Sequence, residues 1–287
     1  MDQRAGEKLS ELISRQVGKV EYYSAEESIA PNLAVHEMRK SFKRLRALLR
    51  FYRNPNAGPV EKTRKKIRIF GRKLSPLRES WVNMDLFESS LAGVTDIPGK
   101  KLRRVAKVLK LKNQELVTER FHQEDVCESI RDFITRIEPK LEGFVTDGIT
   151  VQDIADEIGS NYLRCCARFE EMPSDYPAEK LHSLRKQMKR LYYQLDFLWE
   201  LRPGAFREKT EQLDLINDQL GADHDYYVLT EELRSPEFGF SREELLLIEN
   251  HICQLRAENL LALRHRLKDF FAESPDRFDQ ELERLFF

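Results

Sequence analysis

The chain has 287 residues, 48 of them Lys or Arg and 49 Asp or Glu, so its formal net charge is −1 at pH 7. With 34% charged and 41% hydrophobic residues and only 12 Gly and 11 Pro, the composition excludes a disordered or fibrous chain and fits a helix-rich protein that can bury a core without disulfides or metals. No uncharged stretch approaches the ~20 residues of a membrane span. The four cysteines, Cys127, Cys165, Cys166 and Cys253, show no C-x-x-C pairing, so a reduced, cytoplasmic setting is expected.

In chain order, residues 1–24 form an amphipathic charged segment without the apolar region of a signal peptide. Next comes Val35 to Arg53, VHEMRKSFKRLRALLRFYR. Its apolar residues Val35, Met38, Phe42, Leu45, Leu49 and Tyr52 recur at intervals of 3, 4, 3, 4 and 3, which places them on one buried stripe of a helix. His36, Arg39, Lys43, Arg46, Arg50 and Arg53 repeat that rhythm one residue on. The five cations of this second row extend over about 21 Å at the helical rise. Like charges at these spacings repel, so a row without interleaved carboxylates implies an anion that offsets the repulsion.

Two further basic stretches follow. Between Glu61 and Arg78 lie Lys62, Arg64, Lys65, Lys66, Arg68, Arg72, Lys73 and Arg78, with Lys65, Arg68 and Arg72 on one helical face. The segment from Gly99 to Leu111 adds Lys100, Arg103, Arg104, Lys107 and Lys110. Taken singly, either reads as a solvated helix face. Together, His36 to Lys112 holds 22 Lys plus Arg against 6 Asp plus Glu, and the remainder holds 26 against 43. Such asymmetry points to a polyanionic partner for the basic part.

Helical periodicity is interrupted near residues 54–59, 95–99, 143–148, 173–177, 203–204 and 235–239, and no strand pattern is present. The S/T-x-x-[DE] forms at Thr150 with Asp153 and Ser241 with Glu244 mark two helix starts. The chain is therefore expected to be all-α. Sliding it on itself by 146 residues aligns His36 with His182, Arg39 with Arg185, Lys43 with Lys189, Arg44 with Arg190, Leu45 with Leu191, Leu49 with Leu195 and Phe51 with Phe197. This is a tandem duplication. Each copy has room for about four helices, so two four-helix bundles are expected, the first over about 1–147 and the second over about 148–287.

At these residues the sequence resembles the CHAD family of histidine-containing helical domains. The match comprises the H-x-x-R-x-x-x-K-R-L-R helix at Val35 to Arg53, the H-x-x-R-x-x-x-K-R-L helix at Leu181 to Leu198, and the L-G-x-x-H-D-x-x-x-L element at Leu220 to Leu229. It spans essentially the whole chain, 1–287, as a single domain. The resemblance implies bundles related by pseudo-two-fold symmetry, binding of inorganic polyphosphate on a basic surface and no catalysed reaction; no metal or cofactor is expected, since His122 with Cys127, His251 with Cys253, and His224 between Asp223 and Asp225 lack the spaced ligand sets of zinc proteins. It also implies a cytoplasmic location at polyphosphate granules, with a polyphosphate-metabolising enzyme as a further candidate partner. Carried over by position, the ligand-facing residues would be His36, Arg39, Lys43, Arg44, Arg46 and Arg50, then His182, Arg185, Lys189 and Arg190. Arg53, Lys65, Arg68, Arg72, Arg78 and His224 join them as candidates.

Several positions depart from the symmetric pattern. Tyr192, Asp196 and Trp199 stand where the first copy has Arg46, Arg50 and Arg53, and Asp214, Asp218 and Gln219 stand opposite Arg68, Arg72 and Lys73. The family's R-D pair reads Arg78-Glu79. The first copy is therefore expected to dominate binding.

Histidines in such positions are more often packed or capping residues than ligands. If they touch phosphate, affinity should rise as pH falls through about 6.5. Asp214, Asp218, Asp223 and Asp225 could hold a divalent ion, but structural pairing with Arg185 or Arg190 is expected instead. No Walker loop, H-E-x-x-H, G-x-S-x-G or E-x-E-x-K signature is present. Two rival functions stay open: a nucleic-acid-binding helical protein, drawn by the same electrostatics, and a metal-dependent phosphohydrolase or phosphotransferase.

Overall fold

The computed structural model describes residues 1–26, 28–52, 58–91, 94–145 and 149–286, so Arg53 lies outside the described residues. The first half consists of α1 (Asp2–Ala25), α2 (Pro31–Leu48), α3 (Gly58–Lys73), α4 (Ser75–Ser90), α5 (Gly99–Val117) and α6 (Val126–Val145). The second consists of α7 (Val151–Glu170), α8 (Ala178–Leu201), α9 (Arg207–Leu233), α10 (Arg242–Phe270) and α11 (Pro275–Phe286). A π-helical turn spans Thr118–Gln123 and a 3-10 turn Pro236–Phe238. The described residues contain no strand. Helices α1, α2, α3, α5 and α6 start 143 to 149 residues before α7, α8, α9, α10 and α11, with α3 and α4 together answering to the single α9.

Local chemistry accounts for the boundaries. Pro31 opens α2, where its missing N–H would have no helical partner anyway. Thr150 and Ser241 both form full capping boxes, with Asp153 and Glu244 respectively, as their spacing predicts. The turn before α9 runs through Gly204 at φ 91° and Phe206 at φ 54°, and Gly239 at φ 65° ends the 3-10 turn. Two breaks were not visible in the periodicity. Leu74 separates α3 from α4 because Pro76 cannot donate to the preceding turn. Asp125, at φ 39°, closes the π-helical turn and restarts the helix by accepting a 2.8 Å hydrogen bond from the Glu128 N–H.

The stripe expected on α2 is buried: Val35, Met38, Phe42, Leu45 and Leu49 are at most 2% exposed. The charged N-terminal segment also joins the interior, because α1 turns Ala5, Leu9, Leu12, Ile13, Val17 and Val20 inward. The larger core takes residues from both halves and runs through α2 and α8. There the repeat mates Phe51 and Phe197 meet with ring centroids 5.1 Å apart. A smaller core joins Phe87 near the end of α4, Leu91 just beyond it, and Val105 and Leu109 of α5 to Leu229 and Leu233 of α9 and Ile248 and Ile252 of α10. This second core ties the far ends of α4 and α9 together. It thereby fixes the walls of the cleft that opens above α2 and α8.

Cys127, Cys165 and Cys166 are buried free thiols, and Cys253 is an exposed one. Among the described residues no helix is long and apolar enough to cross a membrane.

Candidate functional site

The cleft has a volume of about 700 Å³ and lies between α2, α4, α8 and α9. It gathers His36, Arg39, Lys43, Arg78, Arg185, Lys189 and His224 of the expected set. These come as repeat mates: Arg39 with Arg185, Lys43 with Lys189, and Arg78 with His224. Glu79 and Asp225, a further pair of mates, also line it.

Arg39 is held in place by donating from Nη1 to the Gly71 carbonyl oxygen at 2.6 Å and to Ser75 Oγ at 2.5 Å. Its mate Arg185 lies over Gly221, the mate of Ser75; a Cβ on Gly221 would come within 3.4 Å of Arg185 Nη2. Arg185 Nε and His182 Nδ1 are buried with no hydrogen-bond partner among the described residues. Such groups carry a desolvation penalty that an incoming acceptor removes.

Lys43 sits where the cations converge. Burial first, and then Arg39, Arg185, Lys189 and Arg78, push its ammonium from the usual 10.5 down to about 7. Lys189 is also lowered by burial, but Asp214 and Asp218 oppose the shift. Its Nζ further lies 4.9 Å from the Tyr192 ring centroid and 5.8 Å from that of Tyr193. Desolvation raises the carboxyls of Glu79 and Asp225, while Arg39 acts against the first and Arg185 against the second.

The histidines behave differently from the expected titration through about 6.5. His224 packs against His182 with ring centroids 4.3 Å apart and planes tilted by 31°, and burial followed by His182 and nearby cations pushes it down to about 4. Burial lowers His36 and His182 as well. At neutral pH these rings therefore offer hydrogen bonds rather than charge.

A second cluster continues the α2 row beyond the cleft. Arg46 is lowered by burial and then by Arg64, Arg68 and Arg72 of α3. Arg50 and Arg190 approach each other beside Arg164, and Arg190 is pushed down to about 10 by burial and then by Arg50. Two carboxylates serve this group: Glu157, 5% exposed, lies 3.9 Å from both Arg50 and Arg164, and Glu61 pairs with Arg64 at 2.7 Å. Among the described residues none of Arg39, Lys43, Arg46, Arg185 and Lys189 forms an ion pair. The row is therefore uncompensated over most of its length.

Some expected residues are placed elsewhere. Arg44 does not face the cleft; it pairs with Asp196 at 3.1 Å and lies over Tyr193. One residue beyond Lys43, it points 100° further round the helix. Its mate Arg190 faces Arg50 instead, because Arg50 stands where the second repeat has Asp196. Lys65 is exposed, and Arg64 takes the place expected for it beside Arg68 and Arg72. Asp223 pairs with Arg256 at 2.9 Å, not with Arg185 or Arg190. The cations of α5 do not line the cleft: Lys101 pairs with Glu244, and Lys112 with Glu232 and with Glu237 at 2.7 Å. Sequence reasoning missed Arg164, a single arginine in α7 with no pattern around it; it noted Glu79 and Asp225, but only the fold brings them into one cleft. Among the described residues no group of three or more His, Cys, Asp or Glu side chains could hold a metal ion.

The family model described as CHAD domain matches residues 11–234. No curated protein sequence matches the chain. The crystal structure of the CHAD domain from the plant Ricinus communis is similar with a TM-score of 0.57, covering 97% of this chain and 91% of that one at 18% identity. At that identity the likeness speaks for the fold alone, and the helical architecture agrees with it. Matched over well more than half its length, the chain belongs to the CHAD domain family.

Proposed function

We propose that this chain is a non-catalytic binding module for inorganic polyphosphate, held in the cleft and along the arginines of α2 and α3, and that it places itself or a partner enzyme on polyphosphate granules in the cytoplasm. The observation that carries this reading is Lys43, enclosed by Arg39, Arg185, Lys189 and Arg78 without an ion-pair partner among the described residues. Charges crowded in this way destabilise the empty protein and are relieved by a dense, flexible anion. Guanidinium forks grip phosphate oxygens in pairs while the ammoniums act as point charges. That mixture suits a repeating phosphate chain with no base or sugar to read.

Competition provides the test. Labelled polyphosphate bound to the protein should resist displacement by duplex DNA or single-stranded RNA at matched phosphate concentration. Displacement by either would replace this reading with nucleic-acid binding. Orthophosphate release in Mg²⁺, at a rate that drops in Asp214→Asn or Asp225→Asn, would replace it with hydrolysis.

A further inference from the structure

The cleft is lopsided in charge although its walls are repeat mates. On the first-repeat side the α2 row passes from Lys43 to Arg46, which faces Arg68 and Arg72. On the second-repeat side the mates of those three arginines are Tyr192, Asp214 and Asp218, all of which line the cleft. The difference reaches the two lysines: cations dominate around Lys43, with Asp225 the carboxylate within reach of its charge, whereas the charge of Lys189 is offset by Asp214 and Asp218 and shared with two tyrosine rings. Both aspartates are exposed, one turn apart on α9, and neither forms an ion pair among the described residues. An anionic polymer laid across the cleft is thus attracted along one exit and repelled at the other.

Polyphosphate offers two kinds of group to such a site. An internal phosphate carries about one negative charge, whereas a terminal one carries up to two, with the second proton leaving near pH 6. The more highly charged end belongs where the cations are densest, around Lys43.

Resting on the reading above, we propose that the cleft takes polyphosphate by its end. The terminal phosphate sits among Lys43, Arg39 and Arg185, the chain leaves over Arg46, Arg68 and Arg72, and Asp214 and Asp218 stop it from running through to the α9 side.

The native protein tests this without any substitution. Titration calorimetry and sedimentation with linear polyphosphates of several defined lengths should show no more than two copies bound per chain, however long the chain. Chains blocked at both ends as phosphoramidates should bind about tenfold more weakly, the equivalent of one lost close charge contact. In the double variant Asp214→Lys with Asp218→Lys, changed only at exposed positions, blocked chains should recover their affinity and the number of copies should grow with length. Copies rising with length on the native protein, or equal affinity for blocked and free chains, would overturn end capture and leave polyphosphate binding standing. Failure of both kinds of chain to bind would remove the underlying reading and this one with it.

Discussion

Replacing Lys43 by arginine should flatten the pH dependence of polyphosphate affinity. In the empty cleft Lys43 is held near 7, so at pH 7 about half the molecules carry its charge and at pH 9 about one in a hundred. Phosphate oxygens beside the ammonium cancel the repulsion from Arg39, Arg185, Lys189 and Arg78 and return the group toward its usual 10.5. Binding above neutrality must then take up a proton. The affinity of the native protein should fall roughly 50-fold from pH 7 to pH 9, approaching tenfold per unit, and about 0.9 proton should be absorbed per cleft at pH 8. Terminal phosphates are ionised throughout this window and add little slope. The assay is calorimetric titration in two buffers of different ionisation enthalpy, with Lys43→Arg in parallel. Arginine keeps its charge in this range, so its profile should be flat. A native profile that is flat from pH 7 to pH 9, or a slope that persists in Lys43→Arg, refutes the reasoning. The empty protein shows the opposite trend. A lysine whose folded pKa lies below its unfolded value opposes folding when charged, so stability should rise between about pH 7 and 10.5, and Lys43→Met should remove that rise.

Further outcomes can be stated briefly. Arg39→Glu, Lys43→Glu and Arg46→Glu should each weaken binding by at least about tenfold and lower the salt slope, whereas Lys100→Glu and Lys107→Glu on α5 should change it less than about twofold in fluorescence anisotropy. Lys189→Glu should fall between them, since Asp214 and Asp218 already offset that charge. Phe51→Ala and Phe197→Ala should each lose about 3–5 kcal/mol in denaturant unfolding, because each leaves a cavity where the two repeats meet.

Much of this was legible in the sequence because helical periodicity carries it. The 3, 4, 3 rhythm of Val35 to Leu49 gave the buried face of α2, and the same rhythm one residue on gave Arg39, Lys43 and Arg46 as one cationic row. The 146-residue offset then identified Arg185 and Lys189 as their mates. What periodicity could not carry is which helix each row meets. Arg44 lay beside the row in sequence but was claimed by Asp196 from α8. Arg64, not Lys65, joins Arg68 and Arg72 beside Arg46, because which side of α3 meets α2 is set by packing. The basic run of α5 looked continuous with its neighbours, yet the second core turns that helix away from the cleft toward α10. The depressed histidines were not legible, since the burial that chiefly lowers His182 and His224 arises only once the helices pack together, although the cations beside His182, Lys186 and Arg185, are on its own helix.

Phe51 and Phe197, which the 146-residue offset pairs, touch where the two halves of the chain meet. Two separate, identical half-chains meeting in that way would have to display the same side chain at both mates, so that every guanidinium would be answered by another across the axis. Joining the halves in one polypeptide releases that constraint. One side can stay basic while its counterpart becomes tyrosine and aspartate, and a ligand then finds a molecule with a front and a back.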